Sequence, residues 1–232
     1  MVNDETNTSS GHLGAYEELR TGFTAVVSHE LRTPLARALA LIESGSDPAE
    51  ILTKVRAEIE EMTALVDDVL FLAELESGRA VVAFGPAKAL PELERVAAEY
   101  ADRADRADVK LEVTGDRDTQ LPLRPRMLAV VLENLIQNTL RYAGPGTTLR
   151  LAVTSEPEET TLVAADDGAG LDERDLPRLF ERFFRSDRAR ASRGTGLGLA
   201  IVKHVVTSAG GSVEASGGPG RGLEIRCRFP AV

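Results

Sequence analysis

The chain has 232 residues, 43% of them hydrophobic, and carries a formal net charge of −10 with a pI near 4.9. That is enough apolar material for one large or two small domains, and the acidic balance disfavours duplex nucleic acid and anionic membrane as partners. The single cysteine, Cys227, excludes an intramolecular disulfide and a cysteine-based zinc site. No run reaches the ~18 apolar residues of a membrane-spanning helix, and no signal peptide is visible.

Residues 1–13 open with the polar "MVNDETNTSS" and are expected to form a disordered tail. Phe23, Val27, Leu31, Leu35, Ala38 and Ile42 then recur at steps of four and three, the helical period. "SGSDP" at 44–48 ends that helix; Asp47 is placed to cap the next one, with Pro48 at its first position. The second stripe runs through Ile51 or Leu52, Val55, Ile59, Met62, Val66, Val69 and Ala73, and Gly78 is placed to stop it. Two long amphipathic helices joined by a short loop make an antiparallel hairpin, here 14–79. One hairpin leaves apolar surface uncovered, so pairing with a second copy into a four-helix bundle is expected.

The first helix contains "SHELRTP" at 28–34. At roughly 100° per residue, His29 falls about 170° from the centre of the apolar stripe, on the solvent face, and Thr33 shares that face one turn on. A lone exposed histidine is usually only a solvated side chain. Here Glu30 adjoins it, able to accept a ring N–H or take a proton. Pro34 removes the amide that would bond the Glu30 carbonyl, at a cost of about 3 kcal/mol, and leaves the backbone beside His29 room to bend.

After residue 80 the pattern changes. "VVAFGP" reads as a strand, 87–105 as a helix and "VKLEVTG" as a strand. "RPRMLAVVLENLIQNTLRYAG" is helical, "TTLRLAVTSE" and "ETTLVAADD" are paired strands, "LGLAIVKHVVTSAGG" is a helix with a glycine stop, and "GSVEAS" and "GLEIRCRF" are strands. The expected class is α+β, an α/β sandwich with a mixed sheet over 80–232, behind the hairpin.

Four short segments of this second half carry polar chemistry. Asn134 and Asn138 stand four apart on one helix face, with Arg141 a turn further: either a site for hydrated Mg²⁺ and phosphates or simply a polar face. "DDGAG" puts Asp166 at a strand end and Gly168 and Gly170 in a tight loop, a weak signal alone. "GTGLGLA" opens a helix with a glycine-rich turn suited to phosphate, although it is neither a P-loop nor a dinucleotide fingerprint. Between these lie the aromatic "LFERFFR" and the polar "SDRARASR", either an amphipathic segment with a loop or a lid anchored by Phe180, Phe183 and Phe184.

"FTAVVSHELRTPL" resembles the H box of sensor histidine kinases, and the later segments, in order, resemble the N box, first glycine box, F box and second glycine box of their ATP-binding domain, which is related in fold to gyrase and Hsp90 ATPases. The resemblance implies that His29 is the phosphoacceptor, Glu30 its acid/base neighbour, and Thr33 the residue orienting a water for dephosphorylation of a partner. It implies Asn138 as Mg²⁺ ligand, with Asn134, Arg141 and Tyr142 around the triphosphate and sugar. Asp166 would meet the adenine amino group; Gly168, Gly170, Gly194, Thr195, Gly196, Leu197 and Gly198 would shape the pocket, and Phe180 and Arg185 the lid. Thr139 stands where the family usually has alanine. The function so implied is ATP-dependent autophosphorylation, phosphotransfer to an aspartate of a response-regulator receiver domain, and dephosphorylation of that regulator, by a homodimer in the cytoplasm, free or as the cytoplasmic portion of a membrane-anchored sensor. A gyrase- or Hsp90-type ATPase is the main rival, but Glu133 sits one place off its water-activating glutamate and the H box would be left without a role.

Overall fold

The computed structural model describes residues 6–44, 47–77, 85–187 and 194–232, with side chains from residue 24 onward. Two compact units divide at Asp67/Asp68, inside the second helix. In the smaller unit, α1 spans Thr6–Glu43 and α2 starts at Pro48 and runs to Glu76. The Glu50 N–H donates to Asp47 Oδ2 (3.3 Å), so Asp47 caps α2 as its sequence suggests. The helix begins at Thr6, inside the stretch expected to be tail, because extending a formed helix costs far less than starting one. Gly78 and residues 81–84 lie outside the described residues, and Gly85 and Pro86 are not in a strand.

The apolar stripes differ from their sequence reading. On α1 the buried positions are Pro34 and Ala38, with Val27 and Leu31 half-buried, whereas Leu35 and Ile42 are exposed. On α2, Glu58, Leu65 and Leu72 are buried, and Val55, Met62 and Val69 half-buried, while Ile59, Val66 and Ala73 are exposed. Each helix therefore has two apolar faces. One meets the partner helix of the hairpin, where Arg37 Nη1 lies 3.7 Å from the buried Glu58 Oε2. The other leaves Leu35, Leu39, Ile42, Leu52, Ile59, Val66 and Leu70 between 41% and 70% exposed. A wide apolar arc merges these faces into a single apparent stripe when read as a pattern.

In the larger unit, β1 (Ala87–Lys88) leads into α3 (Ala89–Arg106), β2 (Val109–Gly115) and β3 (Gln120–Leu121), and β1 and β3 form a short antiparallel ribbon. Then follow α4 (Pro125–Tyr142), β4 (Thr147–Ser155), β5 (Glu159–Asp166), α5 (Gly198–Ser208), β6 (Ser212–Gly217) and β7 (Leu223–Pro230). The main sheet has the order β2-β4-β5-β7-β6; β2 and β4 are parallel and the other neighbours antiparallel, the mixed sheet expected. Strand side chains alternate. Leu149, Leu151 and Val153 of β4, Leu162 and Ala164 of β5, and Ile225, Cys227 and Phe229 of β7 are all buried. Leu128, Leu132 and Ile136 of α4 and Ile201, Val202 and Val205 of α5 supply the helical side of the core. Burial pushes the Cys227 thiol up to about 12, so it acts as a small apolar side chain.

Candidate functional site

The alternation that builds the core also aims one carboxylate. Thr160, Leu162 and Ala164 of β5 are buried, and Asp166 is the next residue of the same parity. Its side chain is thus directed to the helical side of the sheet. Burial pushes the Asp166 carboxyl above the usual aspartate range, while the backbone amides of Gly168 and Leu223 and the Thr139 side chain pull it back. Both amides donate to Oδ1, at 3.0 Å from Gly168 and 3.3 Å from Leu223. The loop then turns tightly. A Cβ on Gly168 would lie 2.5 Å from the Ala143 carbonyl oxygen, and one on Gly170 (φ +59°) 2.0 Å from that of Gly218. Neither position accepts a side chain.

Glycines also bring the second glycine-rich turn against α4. A Cβ on Gly198, the first residue of α5, would lie 2.5 Å from Asn134 Oδ1. One on Gly194 would lie 2.7 Å from the Tyr142 hydroxyl and 3.2 Å from Arg141 Nη1. Asn134 donates from Nδ2 to the Val130 carbonyl (2.8 Å), which fixes its amide. Asn138 is half-buried and Arg141 exposed on the same helix. So Asn134, Arg141, Tyr142, Gly194 and Gly198 form one neighbourhood, and Asp166 and Gly168 adjoin the same helix through Thr139 and Ala143. Leu197 is fully buried and contributes its N–H, which donates to Thr195 Oγ1 (3.2 Å); Thr195 in turn donates to Asp68 Oδ2 (2.8 Å).

The aromatic segment supports that turn. Phe183 N–H donates to the Gly196 carbonyl (2.9 Å), and a Cβ on Gly196 would come within 2.8 Å of the Phe183 backbone. Phe183 itself has φ +60°, a strained conformation for a bulky residue, of order 1–3 kcal/mol. Phe180 and Arg185 are half-buried, and the Arg178 guanidinium lies 4.5 Å over the Phe184 ring. Residues 188–193 of the expected lid lie outside the described residues.

Among the described residues there is no group of three His, Cys, Asp or Glu side chains that could hold a metal by themselves. A neutral amide such as Asn138, beside Arg141, fits instead a Mg²⁺ that arrives with most of its oxygen ligands on phosphate. Glu133 points away from this chemistry. Burial, and then Glu99, raise its carboxyl, and its charged neighbours are Glu99, Arg95 and Glu92 of α3.

In the smaller unit, His29 is 73% exposed and its Nδ1 lies 3.5 Å from Glu30 Oε1. Thr33 donates from its hydroxyl to the His29 carbonyl (3.2 Å), and Ser28 to that of Thr24 (2.8 Å). Such back-bonding bends a helix, and it brackets His29 just before Pro34. His29, Arg32, Thr33, Ala36, Arg37 and Ala40 line one open groove along α1.

Fold and site together define a phosphoacceptor-type helical hairpin joined to a nucleotide-binding α/β sandwich. Residues 19–78 match the model of the His Kinase A (phospho-acceptor) domain, and 124–232 that of the histidine kinase-, DNA gyrase B- and HSP90-like ATPase. The chain is 32% identical over 229 residues to the signal transduction histidine-protein kinase BaeS of Escherichia coli, covering 92% of this chain and 47% of that protein. It is similar to the mycobacterial sensor histidine kinase MprB structure (30% identity, TM-score 0.58, covering 63% of this chain and 98% of that one). It is also similar to full-length ShkA in complex with AMPPNP (27% identity, TM-score 0.67, covering 90% of this chain and 45% of that one). The chain belongs to the histidine kinase family, as a catalytic core with a phosphoacceptor domain and an ATP-binding domain. It spans about half the length of the curated relatives it matches.

Proposed function

We propose that this chain is an ATP-dependent protein-histidine kinase that phosphorylates His29 and passes the phosphoryl group to an aspartate of a response-regulator receiver domain. The observation that carries the reading is the convergence of the Asn134, Arg141 and Tyr142 side chains with the Gly194–Gly198 turn, and of Asp166 with the same helix, in a chain whose other unit exposes His29 beside Glu30. Domains follow as a phosphoacceptor hairpin over 14–79 and an ATP-binding domain over 80–232.

Glu30 sits at Nδ1 of His29. If that 3.5 Å separation closes to a hydrogen bond, the proton is held on Nδ1 and the Nε2 lone pair is left outward as the nucleophile. That nitrogen attacks the γ-phosphorus of ATP as the bond to the ADP oxygen breaks, in line. Asp166 accepts from the adenine amino group. Asn134, Arg141 and Tyr142 hold phosphates and sugar, and Asn138 is the protein ligand to Mg²⁺. Bound Mg²⁺ neutralises charge on the triphosphate. His29 and these residues lie in different units, so transfer requires the two to meet.

The exposed apolar face of α1 and α2 supports a homodimer, since a patch through Leu35, Ile42, Leu52, Ile59 and Val66 demands a cover. Thr33 supports a phosphatase role. Its hydrogen is given to the His29 carbonyl, which leaves oxygen lone pairs to orient a water at a docked phosphoaspartate.

The test is incubation with ATP of the wild type and of His29→Gln and Asn138→Ala. The wild type gains acid-labile, alkali-stable phosphate. His29→Gln gains none yet binds ATP within severalfold, and Asn138→Ala loses both phosphorylation and Mg²⁺-dependent affinity. Persistent phosphorylation of His29→Gln would remove the phosphoacceptor assignment.

A further inference from the structure

The Gly194–Gly198 turn is tied to the end of α2. Asp68, the first residue of the larger unit, is half-buried, and its Oδ2 accepts from the Thr195 hydroxyl (2.8 Å). Thr195 is itself buried. Its oxygen also accepts from the Leu197 N–H (3.2 Å), and Leu197 caps α5. A threonine hydroxyl has one hydrogen and two lone pairs. Here the hydrogen goes to the carboxylate, and a lone pair receives the amide at which the turn becomes helix. A second tie lies about two turns along α2. Glu76 Oε1 pairs with Arg182, and the next residue, Phe183, donates its N–H to the Gly196 carbonyl (2.9 Å). Between these anchors Leu72 and Leu75 are buried. Asp68, Leu72, Leu75 and Glu76 recur at the helical period, so one face of the last turns of α2 is bonded at both ends and buried along its middle.

The turn needs such support. Gly194 and Gly196 both have positive φ, and a glycine-rich segment loses more conformational freedom than any other when it is fixed. Its position is what brings Gly194 to Arg141 and Tyr142 and Gly198 to Asn134. A ligand that uses the turn binds more tightly the more of that ordering is complete beforehand. An aspartate is a poor direct partner for phosphate because like charges repel, and here the Thr195 hydroxyl stands between the carboxylate and the turn. We propose that Asp68 is a positioning residue for the nucleotide: acting through the Thr195 hydroxyl, its carboxylate holds the Gly194–Gly198 turn against the Asn134–Tyr142 stretch of α4. This rests on the reading of that turn as part of the ATP site.

The experiment measures the equilibrium affinity of the full chain for ATP, and the rate of His29 phosphorylation at saturating ATP. The proteins are the wild type, Asp68→Ala, Asp68→Asn, Thr195→Val and the double variant Asp68→Ala with Thr195→Val. Alanine removes the acceptor without loss of helix propensity, and asparagine keeps an acceptor oxygen. Valine keeps the shape of threonine and drops the hydroxyl. The expected ATP affinity is about three- to tenfold lower in Asp68→Ala and in Thr195→Val, and within about twofold of wild type in Asp68→Asn. The rate of Asp68→Ala at saturating ATP should stay within about twofold of wild type, because the residue acts on binding. Both residues act through one bond, so the double variant should lose no more than the larger single loss, within about twofold. If Thr195→Val does not fold, Thr195→Ala provides the hydroxyl-free variant. Unchanged affinity in either single variant, losses that multiply in the double variant, or Asp68→Asn behaving like Asp68→Ala overturns the proposal. A saturated rate that falls in Asp68→Ala as far as the affinity does marks a structural role only and overturns it as well. A wild type that binds no ATP removes the reading of the turn itself; a wild type that binds ATP no better than Asp68→Ala removes only the role of Asp68.

Discussion

Replacing Gly198 with alanine should separate nucleotide binding from folding. Gly198 is the first residue of α5 and has no positive φ, so the backbone accepts alanine. The helix gains up to about 1 kcal/mol in propensity. The new Cβ, however, would sit 2.5 Å from Asn134 Oδ1, a separation that side chains do not sustain. Asn134 must leave its rotamer and give up its bond to the Val130 carbonyl, a loss of about 1 kcal/mol. The two terms nearly cancel, so the melting temperature should move by no more than about 4 °C. On the proposed reading a displaced Asn134 would no longer reach a phosphate, and one hydrogen bond to a charged group is worth about 1.5–3 kcal/mol, roughly ten- to a hundredfold in affinity. Thermal unfolding by circular dichroism and ATP titration on the same sample decide the matter. Unchanged affinity would show that Asn134 does not line the nucleotide site; a fall in melting temperature beyond about 10 °C would show that the Gly198 contact supports the core.

Asp166→Asn should leave the nucleotide-free protein as stable as wild type or more so at pH 7, while adenine binding is lost. Burial raises the Asp166 carboxyl, so its ionised form costs folded-state stability above the folded pKa, and the wild type should gain on the mutant as pH falls through that value; a mutant less stable at pH 7 would refute this. Ile59→Glu should weaken the dimer at least about tenfold, since half of a side chain worth about 1.5–3 kcal/mol is still uncovered and a symmetric interface counts it twice; a dimer of unchanged strength in sedimentation would place the interface elsewhere. Thr33→Ala should keep His29 phosphorylation within about twofold. Phosphorylated regulator should decay more slowly with it than with wild type, and equal decay rates would remove the phosphatase role.

The alternating strands were the most legible part of the sequence. Inward residues of β4, β5 and β7 share one parity with little exception, and that parity also forecasts where Asp166 points. The hairpin was half legible. Its helices and the Asp47 cap read directly, but a bundle helix has two neighbours, so Leu35, Ile42, Ile59 and Val66 merged with residues that serve the intra-hairpin seam. Pro34 lies in that seam although its type signals interruption, because its ring is apolar and α1 continues through it. The two-residue strands β1 and β3 and the short 3₁₀ turn over Glu173–Arg178 are below the length at which any period can show. The candidate site residues could be read as short boxes, but the fit of Gly168 against Ala143 could not, because it depends on β5 emerging beside the end of α4, which no local pattern encodes.

The position of β7 has a consequence for how the protein is made. It is the last strand in chain order, yet it lies inside the sheet between β5 and β6. Until it arrives, one edge of β5 has no ladder partner, and such an edge invites pairing with other chains. Asp166 waits as well, because the Leu223 amide that bonds its carboxylate comes 57 residues later. At roughly 5–20 residues per second, that interval is about 3–11 s on the ribosome. A nascent chain therefore carries all of α4 before the Asp166 carboxylate gains its second amide, and on the proposed reading it would become competent for nucleotide only once the sheet has been filled from within.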